Sequence, residues 1–271
     1  MSGPASESGG AAPPEASSAR SESVRFTVSR AFRRPALAAA SPAIPSPNIW
    51  NWPDVYEAEN RAQDVEGTIW AALRAAVPWA GRAVVDVGCG DGFHLPLFTG
   101  AASVTGVEPH APLAARARAR LVGLPGIRVL EAGAAALPLP DASVDLVHAR
   151  TAYFFGRGCE PGLAEARRVL RPGGAIAIVD LDASVRPYGE WMRADLPRYD
   201  PTAVEAFFAA QGFTLRRIPT VWRFPDRATR DAVLRIEFGS AVAERAIAAT
   251  VGLEIPVGYR LHVCRPGLLQ P

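Results

Sequence analysis

Between residues 82 and 182 the apolar positions fall into short, near-continuous runs separated by stretches of helical spacing. The runs at 83–87, 103–107, 127–130, 144–149 and 175–180 predict strands, and 91–98, 110–123 and 160–169 predict helices. The second helix carries Leu113, Ala114, Ala117 and Leu121 on one repeating face. Strands that stay apolar along their length and alternate with helices belong to a parallel sheet covered on both faces. After the fifth strand the pattern changes. A short helix is predicted over 201–211, a strand over 213–221, one or two helices over 227–250 and a last strand over 258–263. No internal repeat marks a solenoid.

Upstream, Pro53 with Asp54 suits a helix start, and Val55, Ala58, Ala62, Ile69, Trp70 and Leu73 recur at helical spacing. Trp50, Trp52 and Tyr56 crowd this start, either as a core plug or as a lid over a ligand. Residues 1–47 are rich in Ala, Ser, Pro and Gly, a composition that buries too little apolar surface to offset the entropy of ordering. Within them 23–29 alternates like a short strand, and Glu7, Glu15 and Glu22 argue against a transit peptide. The organisation expected is a tail over 1–47, a helical cap over 48–80 and a main domain over 81–271, with 220–250 as a cap insertion.

Charge and cysteine content narrow the partners. All 29 basic residues are arginine, against 27 acidic ones, for a net charge of +2. Five Arg and three Glu lie in the first 47 residues, which leaves 24 of each sign elsewhere, so no concentrated basic field supports nucleic-acid binding. Cys89, Cys159 and Cys264 are odd in number and far apart, giving neither a disulfide framework nor a CxxC metal pair and pointing to a reducing, cytoplasmic setting. No run of 18 apolar residues predicts a membrane span, and the N-terminus lacks a signal-peptide pattern.

The candidate chemistry starts at VVDVGCGDGF, residues 84–93. A strand runs into a turn with Gly88, Gly90 and Gly92, where bare backbone lets a ligand approach closely. A dinucleotide fingerprint needs its third glycine at position 93, which is Phe, and a Walker loop needs a lysine, which the chain lacks. Glu108 ends the second strand 22 residues after Asp86, where a carboxylate either accepts from a ribose diol or caps a helix.

These pieces, with ALPLPDASVD at 136–145 and LRPGG at 170–174, stand in the order of the class I S-adenosylmethionine-dependent methyltransferases, in particular the broad small-molecule (type 11-like) group, which the chain resembles over about residues 80–182. The resemblance implies a doubly wound, mostly parallel, seven-stranded Rossmann-like sheet with an antiparallel last strand, an N-terminal helical segment and a C-terminal helical insertion. It implies S-adenosylmethionine as cofactor. Asp86 and the backbone of Val87, Gly88, Cys89 and Gly90, with Gly92 completing the turn, would hold its amino acid end. Glu108 would take the ribose hydroxyls, and Pro109 and His110 would flank the adenine. Where many members place an Asp toward the adenine, this chain has Gly133, leaving the Ala134 backbone alone or a shifted Glu131 for that contact. Arg150 would meet the cofactor carboxylate.

The acceptor pocket would lie above the carboxyl ends of the strands, walled by Trp50, Trp52, Tyr56, Phe154, Tyr188 and Trp191. His148, Tyr153 and Asp182 are the candidate catalytic groups, with His148 either a base or a support and Asp182 either a polar contact or a cap. The function expected is methyl transfer to a small organic acceptor. An inactive or regulatory S-adenosylmethionine-binding protein and an RNA or protein methyltransferase are the alternatives. An oxidoreductase fares worst, given Phe93.

Overall fold

The computed structural model describes residues 45–153 and 156–267. The strand expected over 23–29 and the wall residue Phe154 lie outside these. Three N-terminal helices, α1 (Pro47–Asn51), α2 (Pro53–Ala62) and α3 (Thr68–Ala76), precede the sheet. Then follow β1 (Ala83–Val87), β2 (Ser103–Glu108), α4 (Ala111–Arg120), β3 (Ile127–Glu131), β4 (Val144–Arg150), α5 (Glu160–Val169) and β5 (Leu170–Asp182). The C-terminal part adds α6 (Tyr188–Asp195), α7 (Pro201–Ala210), β6 (Thr214–Arg223), α8 (Arg227–Glu237), α9 (Ser240–Ala249) and β7 (Glu254–Cys264).

The seven strands form one sheet in the order β3-β2-β1-β4-β5-β7-β6. The first five pair in parallel, and β7 runs antiparallel to both β5 and β6. Chain order reverses between β1 and β4, which creates the crevice where doubly wound sheets bind ligands.

Covering on both faces explains the apolar runs. Along β1 and β4, Val84 and Leu146 join the larger core cluster, while Val85, Val87, Val147 and Ala149 point the other way into a second one. α3 and α4 pack into the first cluster, α5 and α7 into the second. Asp200 starts α7 by accepting from the backbone of Thr202 and Ala203, and Asp226 starts α8 by accepting from Thr229.

The helix expected over 91–98 is absent. The chain there turns through Gly92 at φ +79° and forms only a single 3-10 turn at Leu95–Leu97. The cause is steric: a Cβ at Gly92 would lie 3.0 Å from the Ala117 Cβ and 3.2 Å from its Cα, so α4 packs directly on the bare turn. β5 begins five residues earlier than the apolar pattern predicts, because LRPGG already pairs with β4 across a register shift.

One buried carboxyl makes stability depend on pH. Asp180 is fully buried on β5, with neither carboxylate oxygen hydrogen-bonded by a side chain among the described residues. Burial pushes its carboxyl up to about 7, although Arg260, its register partner on β7, partly offsets this. A folded-state value above the unfolded one means that the native protein binds the extra proton, so this group's contribution to stability falls as pH rises between about 4 and 7. The slope expected from this one group is at most about 1.4 kcal/mol per pH unit. Urea unfolding of Asp180→Asn across that range should give a flatter profile than the native chain; parallel profiles would contradict the assignment.

Candidate active site

β1 delivers the glycine turn to the crevice. Gly88 and Gly90 take φ of +75° and +58°, a region that disfavours any residue with a Cβ. A Cβ at Gly88 would lie 3.0 Å from the Ala152 Cβ, beyond the end of β4, and one at Gly90 would lie 2.8 Å from the Ile49 Cδ1. The turn is pinned from α4, since Arg120 donates to Asp91 Oδ2 at 2.7 Å and to Glu57 of α2 at 2.6 Å. Cys89 fits against bare Gly106 of β2, and burial pushes its thiol up, so it packs as a neutral apolar group.

Glu108 closes the other side of the turn. One carboxylate oxygen accepts from the Gly90 N–H at 3.0 Å and the other from the His110 N–H at 2.9 Å. Burial raises its carboxyl, while those two backbone donors pull it back toward the charged form. Each oxygen keeps a second lone pair for a further donor. The side chain thus receives two backbone N–H groups at the end of β2 and retains acceptor capacity on each oxygen.

Asp86 and His148 are register neighbours on β1 and β4, both buried, with Asp86 Oδ1 2.7 Å from His148 Nδ1. Trp70, Phe98 and His94 surround the pair, with Trp70 5.8 Å from the His148 ring and 5.7 Å from that of His94. Burial and the nearby Arg150 charge hold the His94 imidazole well below its ordinary range, hence neutral. A cavity of ≈ 470 Å³ lies beside this group, lined by Asn60, Gln63, Trp70, Phe93, His94 and Arg150. Arg150 donates to Gln63 and lies 4.9 Å over the Tyr259 ring.

The N-terminal aromatics divide. Trp50 stacks on His110 with ring centroids 4.3 Å apart, and its neighbour Ile49 covers Gly90. Trp52 is 51% exposed. Tyr56 is half-buried on α2, and burial pushes its hydroxyl up. Tyr188 and Trp191 of α6 pack with Phe238 rather than beside the glycine turn. Tyr153 lies in the core cluster opposite the His148 face, packed against Gly162 of α5. Asp182 accepts from the N–H and hydroxyl of Ser184 and from Arg217, which holds its carboxyl low. Gly133 follows β3 in open space, where the adjacent Ala132 N–H donates to the Glu108 carbonyl. Pro109 and Ala134 flank the same end of β2 and β3.

Two site residues escaped the sequence reading, Glu59 and Glu237. Both stand at helix positions whose spacing assigns them to an inward face: Glu59 between Val55 and Ala62, Glu237 one turn past Val233 and Leu234. A carboxylate inside an apolar stripe was the available signal.

The bare turn and the acid at the end of β2 lie at the crevice of the doubly wound sheet, where such sheets bind ligands. Residues 85–178 match the family described as methyltransferase domain. The chain is 37% identical over 108 residues to an uncharacterized 37.1 kDa protein in a transposon of Streptomyces fradiae, covering 38% of this chain and 31% of that protein. It is 34% identical over 122 residues to an uncharacterized methyltransferase of Mycobacterium tuberculosis, covering 45% and 61%. The chain thus spans between about a third and three fifths of these relatives. A solved structure described as a putative methyltransferase from an antibiotic biosynthesis pathway of Anabaena variabilis shares the fold, with a TM-score of 0.56 at 20% identity over 76% of this chain and 99% of that one. The family match thus places a methyltransferase domain over residues 85–178, and the doubly wound sheet is the fold of that solved structure. Among the described residues no three His, Cys, Asp or Glu side chains are grouped to hold a metal, and no helix is long and apolar enough to cross a membrane.

Proposed function

We propose that the protein transfers a methyl group from S-adenosylmethionine to a small organic acceptor by in-line displacement. The observation that carries this reading is the Glu108 carboxylate, fixed by two backbone N–H groups with one lone pair per oxygen left for a vicinal diol. When bound, the cofactor supplies a methyl carbon already activated by a positively charged sulfur. The protein's task is then to align the two reactants and keep water out.

In this reading Asp86 and the backbone from Val87 to Gly90 hold the amino acid end of the cofactor, and Gly92 lets the turn close against α4. His148 fixes the orientation of Asp86, a supporting role that its burial favours over that of a solvent-reached base. Arg150, on the wall of the ≈ 470 Å³ cavity, has guanidinium donors beyond the one given to Gln63 and serves the cofactor carboxylate. Pro109 and His110 flank the adenine. Trp50 already stacks on His110, so an aromatic base entering there exchanges one stacking partner for another. Ala134 supplies a backbone contact where Gly133 has no side chain to offer. Tyr56 and the helices α6 and α8 border the acceptor.

Incubation with methyl-labelled S-adenosylmethionine and, separately, a metabolite pool, total RNA and a protein extract tests the acceptor class. Label is expected in the small-molecule fraction. Label confined to RNA or protein, or no transfer by a chain that binds the cofactor, would overturn it in favour of a macromolecular or regulatory role.

A further inference from the structure

Two carboxyl groups meet where α2 packs on α8: Glu59 is buried and Glu237 half-buried, and each perturbs the other's ionisation. Glu237 accepts from Asn48 Nδ2 at 2.5 Å and from the Tyr188 hydroxyl; Glu59 Oε1 accepts from Gln63 Nε2 at 2.7 Å. Glu59 is only 3% exposed, and its Oε2 receives no donor hydrogen bond. Among the described residues neither carboxylate forms an ion pair, although the chain is rich in arginine. Arg150 lies near enough to stabilise a negative charge, but its Nη2 is committed to Gln63.

Stability does not explain the arrangement. Well-packed apolar side chains at such positions are often at least as stabilising as buried charged groups, and unneutralised titratable pairs cluster at functional sites. Two neighbouring carboxyls held away from water resist ionising together. Burial raises both groups; Tyr188, Asn48 and Gln63 oppose the rise by hydrogen bonding, Arg150 opposes it at Glu59, and Asp195 adds to it at Glu237.

Placement gives the pair its role. The glycine turn and Glu108 follow β1 and β2, on one side of the crevice. Glu59 accepts from Gln63, which in turn accepts from Arg150 at the end of β4, and Tyr188, bonded to Glu237, begins α6 just after β5. Donor groups therefore lie over β1 and β2 and the carboxyl pair over β4 and β5. Aromatic rings stand around it: Tyr188 is 4.9 Å from Trp222 and 5.2 Å from Phe238, and Trp191 packs on Phe238. A single negative charge among aromatic faces favours a cation.

We propose that Glu59 and Glu237 bind the acceptor and take its proton, and that the acceptor presents a primary or secondary amine. The inference rests on the methyltransferase reading above. The amine arrives as ammonium and gives one proton to the ionised carboxylate. Its freed lone pair then forms the N–C bond as the C–S bond breaks, with that electron pair remaining on sulfur. The methylated ammonium leaves with its charge, and the carboxyl proton passes to solvent.

The test uses the full chain with methyl-labelled S-adenosylmethionine and three amines (2-phenylethylamine, putrescine, glucosamine), set against 2-phenylethanol and 3-phenylpropanoic acid. Label is expected on the amine nitrogen. Glu59→Gln and Glu237→Gln should each lower kcat/KM by about 100-fold or more and remove the ascending limb of its pH profile, with S-adenosylhomocysteine affinity kept within about twofold. Calorimetry on the native chain loaded with S-adenosylhomocysteine makes the test independent of variant folding: the amines should bind and the alcohol should not. Transfer only to the alcohol or acid, no amine binding or transfer by a chain that binds S-adenosylhomocysteine, or Gln variants at the native rate would overturn the proposal. A native chain that binds neither S-adenosylmethionine nor S-adenosylhomocysteine would instead sink the methyltransferase reading itself.

Discussion

Replacing Glu108 with Ala should weaken S-adenosylmethionine binding by roughly 5- to 150-fold, about 1–3 kcal/mol, as expected for losing a buried charged acceptor. The side chain does two jobs, and the substitution removes both. It takes the Gly90 N–H and so holds the glycine turn in shape, and it presents the remaining lone pairs to the ribose. Glu108→Gln separates them, because one oxygen can still accept from the turn while the amide nitrogen repels a backbone N–H. Titration calorimetry of native, Ala and Gln proteins reads the difference, with the Gln protein expected between the other two. Equal affinities in all three would show that the ribose assignment is wrong.

The second large effect is expected at Asp86, where Asp86→Ala acts on folding and binding together. His148 is buried with its Nδ1 facing Asp86 at 2.7 Å, and an Ala there leaves an imidazole nitrogen without its partner. The cost expected is about 1–3 kcal/mol of folding stability, with a further loss of cofactor affinity because the anchor of the amino acid end is gone. Asp86→Asn keeps a hydrogen-bonding group beside His148 and should recover most of the stability while still binding cofactor less well. Urea unfolding with and without S-adenosylhomocysteine distinguishes the two contributions. A native-like melting curve for Asp86→Ala would contradict the structural half of the account, and native affinity in Asp86→Asn the functional half.

The geometry of the glycine turn was largely legible in the sequence because local rules dictate it. Gly88, Gly90 and Gly92 all adopt positive φ, which the GxGxG spacing after an apolar strand requires. Glu108 falls at the end of β2 because the strand period ends there. The sheet itself was legible for the same reason, since near-continuous apolar runs at 84–87 and 144–149 need cover on both faces. The missing helix at 91–98 was a packing effect: the contact between Gly92 and Ala117 depends on where α4 docks, which no local pattern specifies.

The Glu59–Glu237 pair was less legible, because it is assembled from separated elements. Glu59 and Glu237 are 178 residues apart in the chain, and only the docking of α2 on α8 brings them together. Tyr153 illustrates the converse. It follows β4 closely in sequence, yet its ring turns into the cluster with Leu163 and Ala166, on the opposite face of the sheet from His148. Sequence proximity to a functional strand does not determine the face on which a side chain ends.

The central claim is that the glycine turn and Glu108 together form a cofactor site for S-adenosylmethionine. Calorimetric titration of the full chain with S-adenosylmethionine, S-adenosylhomocysteine and NAD tests it most directly. Saturable binding of the first two, with none of NAD, is the result predicted; no binding of either sulfur compound, or tight binding of NAD, would contradict it.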